Sequence, residues 1–331
     1  MKILAPVCSA EEATSLISCG AGELYCGLHP EAWKKNDRKE AWVNRRGPGP
    51  ANIGTLEELK EITGLAHSKG VPVFLTINLP FYPPGQYPDI ISLAKNAVLN
   101  CGIDALIIGD PGMITAIRDA VPKAVIHISS LAAVLNSSSV SFFRALGASR
   151  IIFPRYLSTN NLKAIISETG PGIEYEVFIL NDGCVYEEGY CHASHAFGGA
   201  FCHHPWQYRP VRTCADKQSH PAEPFRKHIE DYNHWLWCIR NCNGAVGPGG
   251  FYLGMCGLCA IPDLKTMGIA SLKIVGREAS LHKKTTSVRL VRKALDLLNS
   301  RSYDNSTIRK MIMSIKNTPA LCTSGHMCYF R

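Results

Sequence analysis

The stretch ALIIGDPGMITAIRDAVPKAVIHISS, residues 105–130, reads as one complete strand–helix–strand unit. Ala105–Asp110 and Val125–Ser130 are short runs rich in branched apolar residues, the pattern of parallel strands covered on both faces. Between them Asp110 precedes Pro111, the arrangement of a helix N-cap followed by proline at the first helical position. The same rhythm extends in both directions. Further strands are predicted at Lys2–Val7, Glu23–Leu28, Pro72–Asn78, Arg150–Arg155, Glu174–Leu180 and Ser271–Gly276. Helices are predicted after them. One opens on Ser9 and Glu12, another on Thr55 and Glu58, each spaced as a capping box, and others cover Pro88–Asn100, Pro111–Ala120, Val134–Leu146, Ser158–Glu168 and Glu278–Asn299. Eight such alternations argue for an α/β fold of the TIM-like (β/α)8 barrel type, with an open doubly wound sheet as the runner-up.

The exception is Asn181–Ile261, an insertion between the seventh and eighth strands that is rich in cysteine, histidine and aromatics. Loops that follow barrel strands form the active-site face, so the insertion lies where chemistry is expected. The domain reading is therefore a barrel over 1–299 that includes this metal-binding insertion over 181–261, and a peripheral tail over 300–331.

The 331 residues carry a formal charge of +8, and no apolar run is long enough to span a bilayer. The N-terminus lacks the apolar core and cleavage site of a signal peptide, so the expected location is the cytoplasm, where cysteines persist as thiols or metal ligands. Basic residues gather in a Gly/Pro-rich loop (Lys34, Lys35, Arg38, Lys39, Arg45, Arg46) and along a late helix (Lys283, Lys284, Arg289, Arg292, Lys293). Such patches attract small anions or nucleic acid, or are simply solvated surface.

Of the 14 cysteines, eight fall between Cys184 and Cys259. Grouped thiolates are soft ligands that select zinc, copper(I) or an iron–sulfur cluster. Irregularly spaced Cys184, Cys191, Cys202 and Cys242 suit a cluster held by loops. The two close pairs Cys238/Cys242 and Cys256/Cys259 suit a zinc ribbon. Cys322, His326 and Cys328 could also hold a metal, while Cys8, Cys19, Cys26 and Cys101 read as core packing. Strand ends aim Asn78, Asp110, His127, Ser130 and Arg155 at the barrel mouth, and Glu176 lies inside the seventh strand. These give a candidate substrate-binding set of Asn78, Asp110, His127, Arg155 and Glu176. For Asp110 the competing role is the helix cap, for His127 a core histidine, and for Glu176 and Arg155 a structural ion pair. His192, His195, His203 and His204 are candidate donors to cluster sulfurs. No phosphate loop, nucleotide fingerprint or Ser/His/Asp signature is present.

The segment EVFILNDGCVYEEGYC (176–191) resembles the signature of the collagenase-like peptidase family, number thirty-two of the unassigned class. The resemblance extends from LAPVCSAEEATSLISCGAGELYCGL (4–28) through FPRYLS (153–158) to DLKTMGIASLKIVGREAS (263–280). EEGYC, GAFC and CNG bring it closest to the UbiU-type branch, which works with a UbiV-type partner in oxygen-independent ubiquinone hydroxylation. The resemblance implies a 4Fe–4S cluster on Cys184, Cys191, Cys202 and Cys242, with Cys259 or Cys238 as alternates for the fourth ligand and zinc as the alternative metal. It implies hydroxylation of an aromatic ring, a quinone precursor or similar, with a small anion such as prephenate supplying oxygen to a site of Arg155 and the 34–46 loop. Its alternatives are a tRNA or rRNA pyrimidine as substrate, or a non-catalytic partner subunit in a heterodimer. Peptidase activity ranks last, for want of a nucleophile–base pair. Two departures stand out: Val275 replaces the acid of the family's KIEGR, and Leu131 replaces a polar residue after the fifth strand.

Overall fold

The computed structural model of the chain describes residues 1–34, 42–46, 49–184, 188–190, 222–300 and 303–330. Eight strands run parallel in one ring: β1 (Lys2–Pro6), β2 (Glu23–Gly27), β3 (Val73–Ile77), β4 (Ala105–Ile108), β5 (Ile126–Ile128), β6 (Ala148–Ile152), β7 (Glu174–Asn181) and β9 (Ser271–Ile274). Each pairs with the next, β6 pairs with β7, and β9 returns to pair with both β7 and β1, so the barrel closes. That closure excludes the open sheet. Every expected strand is present, with ends shifted by no more than a few residues. A short strand β8 (Met255–Cys256) joins the outside of the ring, pairing antiparallel with the end of β7.

The helix starts follow the capping chemistry of the sequence. Ser9, Thr55, Asp110, Asn136, Ser158 and Ser280 each accept a backbone N–H of the following first turn. Thr55 and Glu58 complete a reciprocal capping box.

Two apolar regions result. The larger lies between strands and helices, and includes Leu24, Leu75, Ile108 and Ile274. The smaller fills the barrel interior with Leu4, Tyr25, Phe74, Ile107, Ile152 and Phe178. These are alternate residues of their strands, as a two-residue repeat requires. Below them the interior is ionic. Arg150 bonds Glu23 at 2.8 Å, Glu174 at 2.6 Å and Glu176 at 3.1 Å, and Lys273 reaches Glu176 at 2.8 Å. Glu176 is wholly buried, and both cations face it.

The segment after residue 300 is more closely integrated than the peripheral tail expected from its weak periodicity. The helix Asn305–Lys316 packs on the helix Leu281–Asn299. Cys256 and Tyr329 exchange backbone bonds with one another's neighbourhood, Cys256 N–H donating to Met327 O (2.9 Å) and Tyr329 N–H to Cys256 O (3.1 Å). Met327 and Tyr329 are consequently buried. Among the described residues, no helix is long and apolar enough to cross a membrane.

Candidate functional site at the barrel mouth

At the C-terminal ends of the strands lies a cleft of about 530 Å³, open solvent included. Among the described residues, its charged lining is Arg45, Arg46, Arg155, Lys273 and Arg277 with the carboxylate of Glu188. Each cation is fixed differently.

Arg277 follows β9 and is 5% exposed. Its Nη1 donates to Thr76 Oγ1 (3.1 Å) and Asn52 Oδ1 (3.3 Å), and its Nη2 to Asn44 Oδ1 (2.7 Å). These are neutral acceptors, and no carboxylate pairs with it among the described residues. Burial lowers its pKa, the direction expected of a cation without a close counter-ion. Gly27 makes room for it: a Cβ there would stand 1.6 Å from Arg277 Nη1. A buried guanidinium held by amides and a hydroxyl can still bind an anion.

Arg155 lies flat over the Phe178 ring, 3.7 Å from its centroid, donates through Nε to Asp182 O (3.1 Å), and pairs through Nη1 with Glu188. Glu188 also accepts from Ser130 Oγ at 2.7 Å and from Arg45 at 3.4 Å. Burial raises the Glu188 pKa, but Arg155 and Arg45 outweigh it and hold the carboxyl below its ordinary range. Arg46 is paired with Asp182 at 2.7 Å and Glu278 at 3.5 Å. Lys273 sits over the Tyr25 ring at 4.3 Å; burial lowers its pKa while Glu176 opposes. On the rim, Tyr156 and Tyr190 are exposed, and Tyr156 Oη donates to Glu188 O at 3.2 Å.

The expected substrate-binding set divides. Asn78 and Arg155 line the cleft, and Asn78 accepts Arg45 N–H at 3.2 Å and donates to Ser129 Oγ at 3.3 Å. Asp110 does not line it. Its oxygens accept from Gly112 N, Met113 N, Tyr82 N and Tyr87 Oη, so it is the helix cap. His127 is a buried core histidine, edge-on to Phe74 at 4.7 Å. Burial, with Arg150 and Lys273 near it, pushes its pKa well down, so it stays neutral. Glu176 is structural, but its partners are Arg150 and Lys273 instead of Arg155. Val275 and Leu131 do line the mouth, as their positions in the motifs imply.

The sequence reading did not single out Glu188 or Arg277 as site residues. The signals were present: an acid in EEGYC, and the arginine that ends KIVGR. The second basic patch is only partly free surface, since Arg289 and Lys293 are exposed but Lys283 and Lys284 are not. Lys284 is buried against both oxygens of Glu12 at 2.8 Å, and Lys283 donates to Asn243 O at 2.6 Å. Lys35, Arg38 and Lys39 lie outside the described residues.

Cys191, Cys202, His192, His195, His203 and His204 also lie outside the described residues. Cys184 stands three residues beyond β7, with Arg45 Nη2 3.9 Å from its Sγ. Cys242 ends the helix Ala222–Asn241, and the adjoining Asn243 donates to Asp182 Oδ1 at 2.8 Å. The two thiols thus lie on segments fastened together beside the mouth, a donor set that fits a soft metal centre. The two close pairs of the expected zinc ribbon each have other neighbours as well. Cys238 neighbours Cys242 and forms a trio with His234 and His326, whose ligand atoms lie within 4.8 Å of one another. Cys256 and Cys259 face Cys322 and Cys328.

Known proteins show similarity along the chain. It is 24% identical to "tRNA hydroxylation protein P1" of Bacillus subtilis (strain 168), over 89% of this chain and 63% of that protein. It is 26% identical to "tRNA hydroxylation protein P" of Helicobacter pylori (strain J99), over 96% of this chain and 69% of that protein. It is 25% identical to "23S rRNA 5-hydroxycytidine C2501 synthase" of Escherichia coli (strain K12), over 60% of this chain and 27% of that protein. The chain therefore spans less than two thirds of the Bacillus protein's length. Residues 8–330 match the model of peptidase family U32, and the chain belongs to that family.

Proposed function

We propose that this chain serves oxygen-independent hydroxylation of a pyrimidine base in RNA. The observation that carries the reading is the mouth itself, where Arg277 is buried with no carboxylate partner among the described residues and Arg45, Arg46 and Arg155 line the same cleft. The relatives named for tRNA and rRNA hydroxylation turn the balance from a quinone precursor toward RNA. An organic anion of the prephenate kind suits Arg277 as the oxygen donor, and the exposed rings of Tyr156 and Tyr190 suit an unstacked base at the rim. Arg155, immobilised by Phe178 and Glu188, would orient the anion while the apolar Leu131, Ile152 and Val275 limit water.

Cys184, Cys191, Cys202 and Cys242 would hold a 4Fe–4S cluster, which supplies electron transfer when bound. The test is nucleoside mass spectrometry of tRNA and rRNA from cells that depend on this chain. Loss of one hydroxylated pyrimidine with Arg277→Met, at unchanged protein level, supports the reading. An unchanged nucleoside profile, with altered quinones, would return the substrate to the quinone class.

The apolar Val275 and Leu131 at the mouth favour a second reading, a non-catalytic subunit of a related chain. Co-purification of that chain, with activity only in the pair, distinguishes it.

A further inference from the structure

Behind the mouth, a cavity of about 150 Å³ lies between the turn after β8 and the C-terminal segment. Four cysteines line it: Cys256 and Cys259 from one side, Cys322 and Cys328 from the other. None of the four is in a disulfide. The pairs are far apart in sequence, so the fold and not local composition brings them together. Each of Cys256, Cys322 and Cys328 acts electrostatically on Cys259, which places all three near its sulfur.

Burial and the neighbouring thiols push the Cys259 thiol up to about 11, so the site holds its proton until a metal displaces it. The backbone bridge between Cys256 and Cys328 fixes two of the ligands relative to each other. Phe330 N–H donates to Cys328 Sγ at 3.4 Å, a bond that stabilises negative charge on sulfur. Lys316 lines the cavity with its Nζ donating to Gly254 O at 2.9 Å, and Arg309, which acts on Cys259, is itself paired with Asp263. Ile312, Leu321 and Met327 make the rest of the wall apolar.

Spacing selects the kind of centre. A lone zinc with Zn–S of about 2.3 Å draws four sulfurs to about 3.8 Å from one another. Among the described residues, the group of potential ligands that lies within 4.8 Å of one another is His234, Cys238 and His326, not these four cysteines. The four sulfurs are thus set wider, around a void larger than a single ion needs. We propose that Cys256, Cys259, Cys322 and Cys328 bind an iron–sulfur cluster of their own, separate from any centre on Cys184 and Cys242.

The test is iron, sulfide and zinc content of the whole chain purified without oxygen, compared across two double variants. Each cluster contributes about four iron and four sulfide. Cys259→Ser/Cys322→Ser is expected to lose one such set, and Cys184→Ser/Cys242→Ser to keep it. Full iron in the first variant overturns the proposal; zinc lost with His326→Ala, and no iron to lose, overturns it as well. Iron lost only with Cys184→Ser/Cys242→Ser leaves the mouth reading intact and sinks this one. Iron lost only with Cys259→Ser/Cys322→Ser does the reverse.

A measurement on the unmutated chain guards against misfolded variants. Cys322 is exposed and should react readily with iodoacetamide as a free thiol. Protection of Cys322 until a chelator strips the iron is the expected result. Rapid alkylation of Cys322 in the iron-replete protein refutes ligation.

Discussion

Gly27 and Arg277 show how a single atom's absence can shape a site. A Cβ on residue 27 would stand 1.6 Å from Arg277 Nη1 and 2.3 Å from Asn52 Oδ1. The atoms displaced belong to a buried guanidinium held by three hydrogen bonds and to one of its acceptors. Gly27→Ala should therefore lower the thermal midpoint as well as cut affinity for a small dicarboxylate about tenfold, the worth of one charge-assisted hydrogen bond. Calorimetric titration beside a melting curve separates the two effects. Glu188 is both buried and paired. Its folded pKa is depressed below the unfolded value, so its contribution to stability is complete above about pH 4.5 and is lost as pH falls through the folded value. Glu188→Gln strands Arg155 and should cost about 3–5 kcal/mol at neutral pH. The same change should flatten the acid limb of the stability profile, as urea melts at several pH values would show.

At the level of elements, much of the barrel was legible because its signals are local. Ser9, Thr55 and Ser158 announce helices through a hydroxyl three residues ahead of the amide it accepts, and the apolar strands declare burial on both faces. What could not be read locally was the choice between equivalent roles. Asp110 at a strand end could face a substrate or cap a helix; Gly112 N and Met113 N show the cap, and Tyr82 N and Tyr87 Oη occupy its other oxygen. Asp110→Ala should destabilise the chain by about 2 kcal/mol, the upper range for a lost cap, and leave ligand affinity unchanged. A matching loss of affinity would return Asp110 to the site. Pairing between distant loops was equally hidden. Cys256 and Cys259 read as partners of Cys238 and Cys242 from proximity in sequence, whereas the fold turns them toward Cys322 and Cys328. Glu188 escaped notice because nothing in EEGYC says which acid is buried.

Across the whole molecule, the charge of +8 is distributed less evenly than its composition implies. Lys283 and Lys284 are drawn into the interior, while Arg45 and Arg46 remain at the mouth. Binding of RNA should therefore weaken linearly with the logarithm of salt concentration, with a slope reduced by about one for each phosphate contact removed. Arg46→Ala should lower that slope, whereas Arg289→Ala, remote from the cleft lining, should not. Equal slopes for both variants would move the RNA path away from the mouth. The mouth is also walled from two remote parts of the chain. Tyr329 Oη donates to Asp182 O at 2.8 Å, and its backbone is tied to Cys256. During synthesis the eight parallel strands can all leave the ribosome before residue 329 exists. A barrel can thus close before Tyr329 is in place to wall its mouth.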